Sequence, residues 1–179
     1  MSALHTHYEI HIKGVVQGVG FRPFIYKLAK FMNLKGAVFN NTEGVIIHIV
    51  GKRETCNKFI NEITNKLPLL AKIYVMDIVE KELKEFKDFL ITPSEVTSKK
   101  TAFYSPDVNL CSDCLRELFT LDDRRYKYPF ITCINCGPRF SIIKDIPYDR
   151  KNTSMNEFPM CKDCSQEYNS PDSRRHHTQ

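Results

Sequence analysis

Two arrangements of residues in this chain could do chemistry: paired cysteines, and a glycine-rich stretch that ends in arginine. Cys111-x2-Cys114 is followed after eighteen residues by Cys133-x2-Cys136. Two such knuckles place four thiolates around one ion and leave no open position, so the pattern predicts a structural Zn2+ site. A segment this small has little core of its own, and metal binding would supply roughly 10–16 kcal/mol toward folding it. A redox role suits the pairs less well, because the thioredoxin-like setting is missing.

A third pair, Cys161-x2-Cys164, has no partner pair downstream. Repeating the first spacing would put the next cysteine at position 183, so the expectation is a second zinc module that the sequence leaves incomplete. His176 and His177 are poor substitutes, since two adjacent histidines do not readily serve one tetrahedral ion. Cys111, Cys114, Cys133, Cys136, Cys161 and Cys164 are therefore the candidate metal ligands, and Cys56, on an apolar helical stripe, reads as a buried small hydrophobe.

The second arrangement is Gly14-Val15-Val16-Gln17-Gly18-Val19-Gly20-Phe21-Arg22-Pro23, between a strand pattern and a helix pattern. Gly18 and Gly20 can turn successive N–H groups inward to form an anion nest. The helix start adds free N–H groups and a partial positive charge. Arg22 brings a guanidinium that can hold two phosphate oxygens. All three devices point at one bound phosphate, and the alternative is a plain glycine turn with a surface arginine.

These residues need elements to hold them. Alternation over Tyr8-Glu9-Ile10-His11-Ile12-Lys13 predicts a strand, with His7 and His11 on one face and no third ligand for a metal. A helix is predicted over 23–34, with Phe24, Leu28 and Phe31 on one stripe and Pro23 in the first turn. Two strands over 36–40 and 45–50 flank Asn41-Thr42-Glu43-Gly44 as a hairpin. His48 lies on the second of them and, like His7 and His11, has no ligand set. A second helix runs from Cys56 to Leu67, stopped by Pro68, and strands follow over 73–79 and 86–91. The order β-α-β-β-α-β predicts an α+β fold, an antiparallel sheet with two helices on one face. The polar stretch 92–100 reads as a linker, which divides the chain into residues 1–93 and a cysteine-rich region, residues 94–179. Ser105-Pro106-Asp107 reads as a turn leading into the first knuckle.

At 179 residues, 42% hydrophobic and 26% charged, the composition excludes a chain that is disordered throughout. No run is apolar enough to span a membrane, and the N-terminal residues lack a signal-peptide pattern. Seven cysteines without an export signal suit thiolates and metal in a reducing, cytoplasmic compartment. Lys+Arg against Asp+Glu is 13 to 9 in residues 1–93 and 13 to 12 in residues 94–179, so the cysteine-rich region is only +1. That balance argues against nucleic-acid binding. Arg124-Arg125-Tyr126-Lys127-Tyr128 and Arg174-Arg175-His176-His177 read as solvated surface or as contacts to another domain.

Val16-Gln17-Gly18-Val19-Gly20-Phe21-Arg22 resembles the phosphate loop of the acylphosphatase family, and Gly36-Ala37-Val38-Phe39-Asn40 followed by Gly44 resembles its second motif. The resemblance covers most of residues 7–92 and implies the same β-α-β-β-α-β sandwich. It implies that Gln17, Gly18, Val19, Gly20, Phe21 and Arg22 bind the phosphoryl group. Asn40 would aim the attacking water, in a reaction that needs positioning and charge stabilisation. Asn41 reads as an ordinary hairpin residue.

The cysteine-rich region, with Tyr126-x-Tyr128-Pro129-Phe130-Ile131, Cys136-Gly137-Pro138-Arg139-Phe140, Pro147-Tyr148-Asp149-Arg150 and Arg174-Arg175-x-His177-x-Gln179, is similar to the N-terminal part of the HypF carbamoyltransferase family. That resemblance implies carbamoyl phosphate as substrate and a HypE-type protein as partner, in maturation of a nickel–iron hydrogenase. Nothing here resembles an ATP site, so the adenylating step would belong to domains outside these residues. The competing expectation is a non-catalytic, zinc-stabilised docking module.

Overall fold

A computed structural model describes residues 5–179; residues 1–4, part of the segment read as lacking an export signal, lie outside the described residues. Five strands form one sheet in the order β4-β1-β3-β2-β5: β1 (His5–Val15), β2 (Lys35–Asn40), β3 (Val45–Lys52), β4 (Lys72–Lys81) and β5 (Phe89–Ile91). Every neighbouring pair is antiparallel except β2 and β5. Helices α1 (Phe21–Phe31) and α2 (Arg53–Asn65) complete the predicted α+β sandwich. The core joins Ile10, Ile12, Val38, Ile47 and Ile49 of the strands to Phe21, Ile25, Phe59 and Ile63 of the helices.

Helix α1 starts two residues before Pro23, because Gly20 in the left-handed region (φ 77°) ends the loop and caps the helix. It also stops earlier than the apolar pattern predicts. Asn33 turns left-handed (φ 53°), its N–H donates to Lys30 O, and Leu34 N–H donates to Ala29 O, the Schellman arrangement. Leu34 tucks into the core while Phe31, at the helix end, is 85% exposed. The buried stripe is therefore Phe21, Ile25, Leu28 and Ala29 rather than one that includes Phe31.

The stretch read as a linker is pinned rather than free. Glu95 N–H donates to Asn40 O, and Thr101 and Ala102 N–H both donate to Thr42 O. Beyond it, regular structure is sparse: α3 (Ser112–Phe119), α4 (Lys162–Asn169) and three single 3-10 turns. The buried apolar cluster there is small, built from Cys114, Ile131, Cys133 and Cys136.

Residues 111–128 and 161–178 repeat one turn–helix–turn unit. Both helices are eight residues long and begin directly after the first cysteine of a C-x2-C pair. Each unit closes with the same bond, Lys127 N–H to Leu118 O at 2.9 Å and His177 N–H to Tyr168 O at 3.0 Å. Lys127 and His177 share the left-handed conformation, at φ 55° and 54°. Among the described residues no helix is long and apolar enough to cross a membrane.

Candidate functional site

Strand β1 delivers the loop 16–20 to the N-terminus of α1. Gly18 and Gly20 are both left-handed (φ 73° and 77°), the conformation that turns adjacent N–H groups to one side. The N–H groups of Gly18, Val19, Gly20, Phe21 and Arg22 donate to no protein acceptor among the described residues. Those of Phe21 and Arg22 are free because they open a helix whose cap, Gly20, has no side chain to offer. The geometry is an anion nest capped by a helix start.

Gln17 locks the loop to the hairpin. Its amide nitrogen donates to Asn41 O at 2.7 Å and to Gly44 O at 2.8 Å, while its Oε1 accepts from Tyr148 N–H at 2.8 Å. With its side chain so engaged, Gln17 offers the nest only its backbone. The Asn41 Oδ1 accepts from the N–H groups of Glu43 and Gly44, so Asn41 is the turn residue expected. Asn40, at the end of β2, sits beside that turn. In register, Asn40 and Ile12 both face Val45 of β3, so Asn40 shares the sheet end from which the loop leaves. It is fully buried, yet neither its Oδ1 nor its Nδ2 has a hydrogen-bond partner. An orphaned buried amide is expensive unless a ligand or ordered water completes it.

Arg22 is buried, and burial depresses its affinity for a proton, an effect that Asp149 offsets only in part. Its Nη2 lies 3.3 Å from Asp149 Oδ1, a carboxylate contributed by the cysteine-rich region. That region closes over the loop elsewhere too. A Cβ added at Gly18 would come within 2.9 Å of the Tyr148 ring, and one at Gly20 within 3.1 Å of the Ile134 side chain. The small space left among Gly18, Gly20, Arg22, Tyr148, His176 and His177 is about 20 Å³, enough for one water.

The second candidate site is the thiol cluster. The Sγ atoms of Cys111, Cys114, Cys133 and Cys136 lie within 4.8 Å of one another. Three pairs measure 3.6, 3.8 and 3.9 Å. Tetrahedral thiolates at a metal–sulfur distance of about 2.3 Å stand about 3.8 Å apart, so the set fits one ion. Cys161 and Cys164 do not join a ligand group of three or more among the described residues. Cys56 is buried, and burial pushes its thiol up to about 11, which makes it inert.

The two repeats brace each other's cysteines. Arg174 donates to Cys114 Sγ at 3.1 Å, and Arg174 and Arg175 both bind Glu117. In the mirrored arrangement, Arg124 donates to Cys164 Sγ at 3.2 Å, and Arg124 and Arg125 both bind Glu167. Backbone and side-chain hydrogen bonds from Cys164, with Arg124 nearby, hold the Cys161 thiol below its ordinary range. The paired arginines are therefore the inner framework of the region rather than solvated surface. A signal was present: C-x-D-C-x2-E followed by Arg-Arg recurs, at Cys111 to Arg125 and at Cys161 to Arg175.

His7, His11 and His48 of β1 and β3 are satisfied by protein. His7 bonds Glu82 O at 2.8 Å and the His48 ring at 3.2 Å, and His11 bonds Glu9 at 2.7 Å.

Comparison with known proteins bears on both sites. The acylphosphatase family model matches residues 8–91, and the HypF finger matches residues 110–143 and 160–179. The Methanocaldococcus jannaschii protein named "Probable carbamoyltransferase HypF" is 52% identical over 146 residues, 80% of this chain and 19% of that protein. An acylphosphatase of Thermotoga petrophila is 37% identical over 84 residues, 46% of this chain and 92% of that enzyme. Among solved structures, full-length HypF in a phosphate- and nucleotide-bound form matches with TM-score 0.89 and 50% identity, over 97% of this chain and 23% of that one. The chain spans about a fifth of the length of the HypF relatives it matches.

Proposed function

The chain belongs to the acylphosphatase family through residues 8–91 and carries the HypF finger behind them, and from that premise we propose that it binds and hydrolyses an acyl phosphate. The free N–H groups of Gly18 to Arg22 and the Arg22 guanidinium hold the phosphoryl oxygens. There they meet the charge that develops as the phosphorus–oxygen bond to the acyl group breaks. The Asn40 amide holds a water and aims one of its lone pairs in line at phosphorus. The products are inorganic phosphate and the free acid of the acyl group. No covalent intermediate on the protein is needed, because an acyl phosphate is already an activated anhydride. The observation that carries this reading is the pairing of five unengaged N–H groups with a fully buried Asn40 amide that lacks any partner.

Carbamoyl phosphate is the substrate we assign, on the strength of the carbamoyltransferase names of the relatives. The whole-protein role would be carbamoyl transfer toward a HypE-type partner in the cytoplasm. The four-cysteine cluster would hold Zn2+ as a closed structural ion, since thiolate sets of this spacing suit zinc. Phosphate release from carbamoyl phosphate, with Arg22→Ala as comparison, tests the hydrolytic reading. A drop of at least a hundredfold is expected, and equal rates would remove Arg22 from the chemistry.

A further inference from the structure

We propose that His176 and His177 of the cysteine-rich region are specificity residues of the anion site, selecting an acyl group that carries an amide over an isosteric one that carries a methyl. The inference rests on the acyl phosphate reading and adds the recognition of the acyl half.

The nest and Arg22 account for the phosphoryl half of a ligand. What faces them across the small space comes from the other half of the chain: Ile134, Tyr148, His176, His177 and Thr178. That space is about 20 Å³, so an acyl phosphate seats there only as these side chains move outward. His176 is 4% exposed; the backbone of Tyr168 and Ser170 lies close to its ring, but neither ring nitrogen closes a hydrogen bond of ordinary geometry, and the Nδ1 of His177 is likewise buried and unpaired. Three unpaired ring nitrogens beside an anion nest form a surface built for a polar ligand, since unpaired buried polar atoms are otherwise costly.

The two rings stack with centroids 4.0 Å apart and planes 19° from parallel, which fixes where their nitrogens lie. His177 holds a left-handed backbone, φ 54°, anchored by its N–H bond to Tyr168 O. Strain of that kind persists where the surroundings over-determine a position. Lys127, its counterpart in the first repeat, shares the backbone and not the ring.

Burial and the nearby Arg22 charge push His176 down to about 4 and His177 down to about 3, so both are neutral near pH 7. A neutral imidazole offers one N–H donor and one bare nitrogen acceptor. A carbamoyl group presents the complementary set, an NH2 donor and a carbonyl acceptor. An acetyl group has nearly the same shape but replaces the NH2 with a methyl, which would leave a ring nitrogen unpaired in a dry site. Sites built to hydrogen-bond a substrate N–H or O–H reject analogues that lack it far more strongly than apolar pockets reject a size difference.

The test measures kcat/KM for phosphate release from carbamoyl phosphate and from acetyl phosphate, with the intact metal-loaded chain. Four proteins are compared: wild type, His176→Phe, His177→Asn and Arg22→Ala. Phe keeps the ring stack and Asn tolerates the left-handed backbone, and metal content per chain checks that each variant has folded. Wild type should prefer carbamoyl phosphate by at least a hundredfold. Either histidine variant should lose most of that ratio, chiefly through carbamoyl phosphate. A wild type that turns over both substrates alike, or histidine variants that slow both equally, would overturn the inference while leaving the acyl phosphate reading intact. Wild-type rates no higher than those of Arg22→Ala would instead overturn that reading, and this inference with it.

Discussion

Replacing Asp149 with Asn separates two roles of the carboxylate that closes on Arg22. The ion pair spans 3.3 Å between side chains that are 7% and 15% exposed. A phosphoryl group bound by the loop must share or take over Arg22, so in wild type it does so against a fixed negative charge. Two unit charges about 5 Å apart at an effective dielectric near 20 repel by about 3 kcal/mol. Allowing for rearrangement of the carboxylate, Asp149→Asn should bind inorganic phosphate about ten- to a hundredfold more tightly, that is, by about 1.4–2.8 kcal/mol. Stability should move the other way. Breaking a buried ion pair costs about 3–5 kcal/mol, and an Asn that still accepts from the guanidinium should recover about half. Titration calorimetry with inorganic phosphate at low ionic strength, paired with urea unfolding, reads both effects. A variant that binds phosphate within twofold of wild type, or more weakly, would refute the claim that Asp149 and the ligand compete for Arg22.

Three further outcomes follow from the same geometry. Gly18→Ala should destabilise by about 2–4 kcal/mol in urea unfolding, from a left-handed alanine and a Cβ 2.9 Å from the Tyr148 ring; an unchanged midpoint would mean the loop is not packed as described. Glu117→Gln should weaken metal retention against a chelator about ten- to a hundredfold, because Glu117 positions Arg174 and Arg175 on the Cys114 sulfur. Acidification should unfold the protein through His176 and His177. Their folded-state values are depressed below the ordinary 6.5, so the unfolded chain binds more protons, and stability should fall as pH drops from about 6.5 toward 4. The His176→Phe, His177→Asn double variant should flatten that part of the pH profile.

What could be read from the sequence was whatever depends on local spacing. C-x2-C pairs and a glycine loop opening a helix are short-range patterns: Cys111, Cys114, Cys133 and Cys136 gather into one cluster while Cys161 and Cys164 join none among the described residues, and the glycine loop runs into the start of α1. The helix end at Phe31 was also local, but its signal was Asn33, a left-handed stop that the apolar pattern running on to Leu34 concealed. The closure of the site was not legible. Gln17 to Tyr148 and Arg22 to Asp149 are contacts between residues more than a hundred positions apart, and no periodicity encodes them. In sequence His176 and His177 read as poor metal ligands or as part of a charged surface or interdomain cluster, because adjacency hides that both line the space beside the glycine loop. The arginine pairs lay between these cases: their recurrence behind C-x-D-C-x2-E was visible, but their exchange of partners between repeats needed the fold.

The central claim is that water, held by Asn40, attacks phosphorus on a phosphoryl group held by Arg22 and the loop. Carbamoyl phosphate turned over in water enriched in oxygen-18, with the released phosphate followed by phosphorus-31 NMR, tests it directly. The account predicts one solvent oxygen in each phosphate released above the Arg22→Ala background, and loss of that signal in Asn40→Ala. Phosphate released without solvent oxygen would place the attack on the acyl carbon and contradict it.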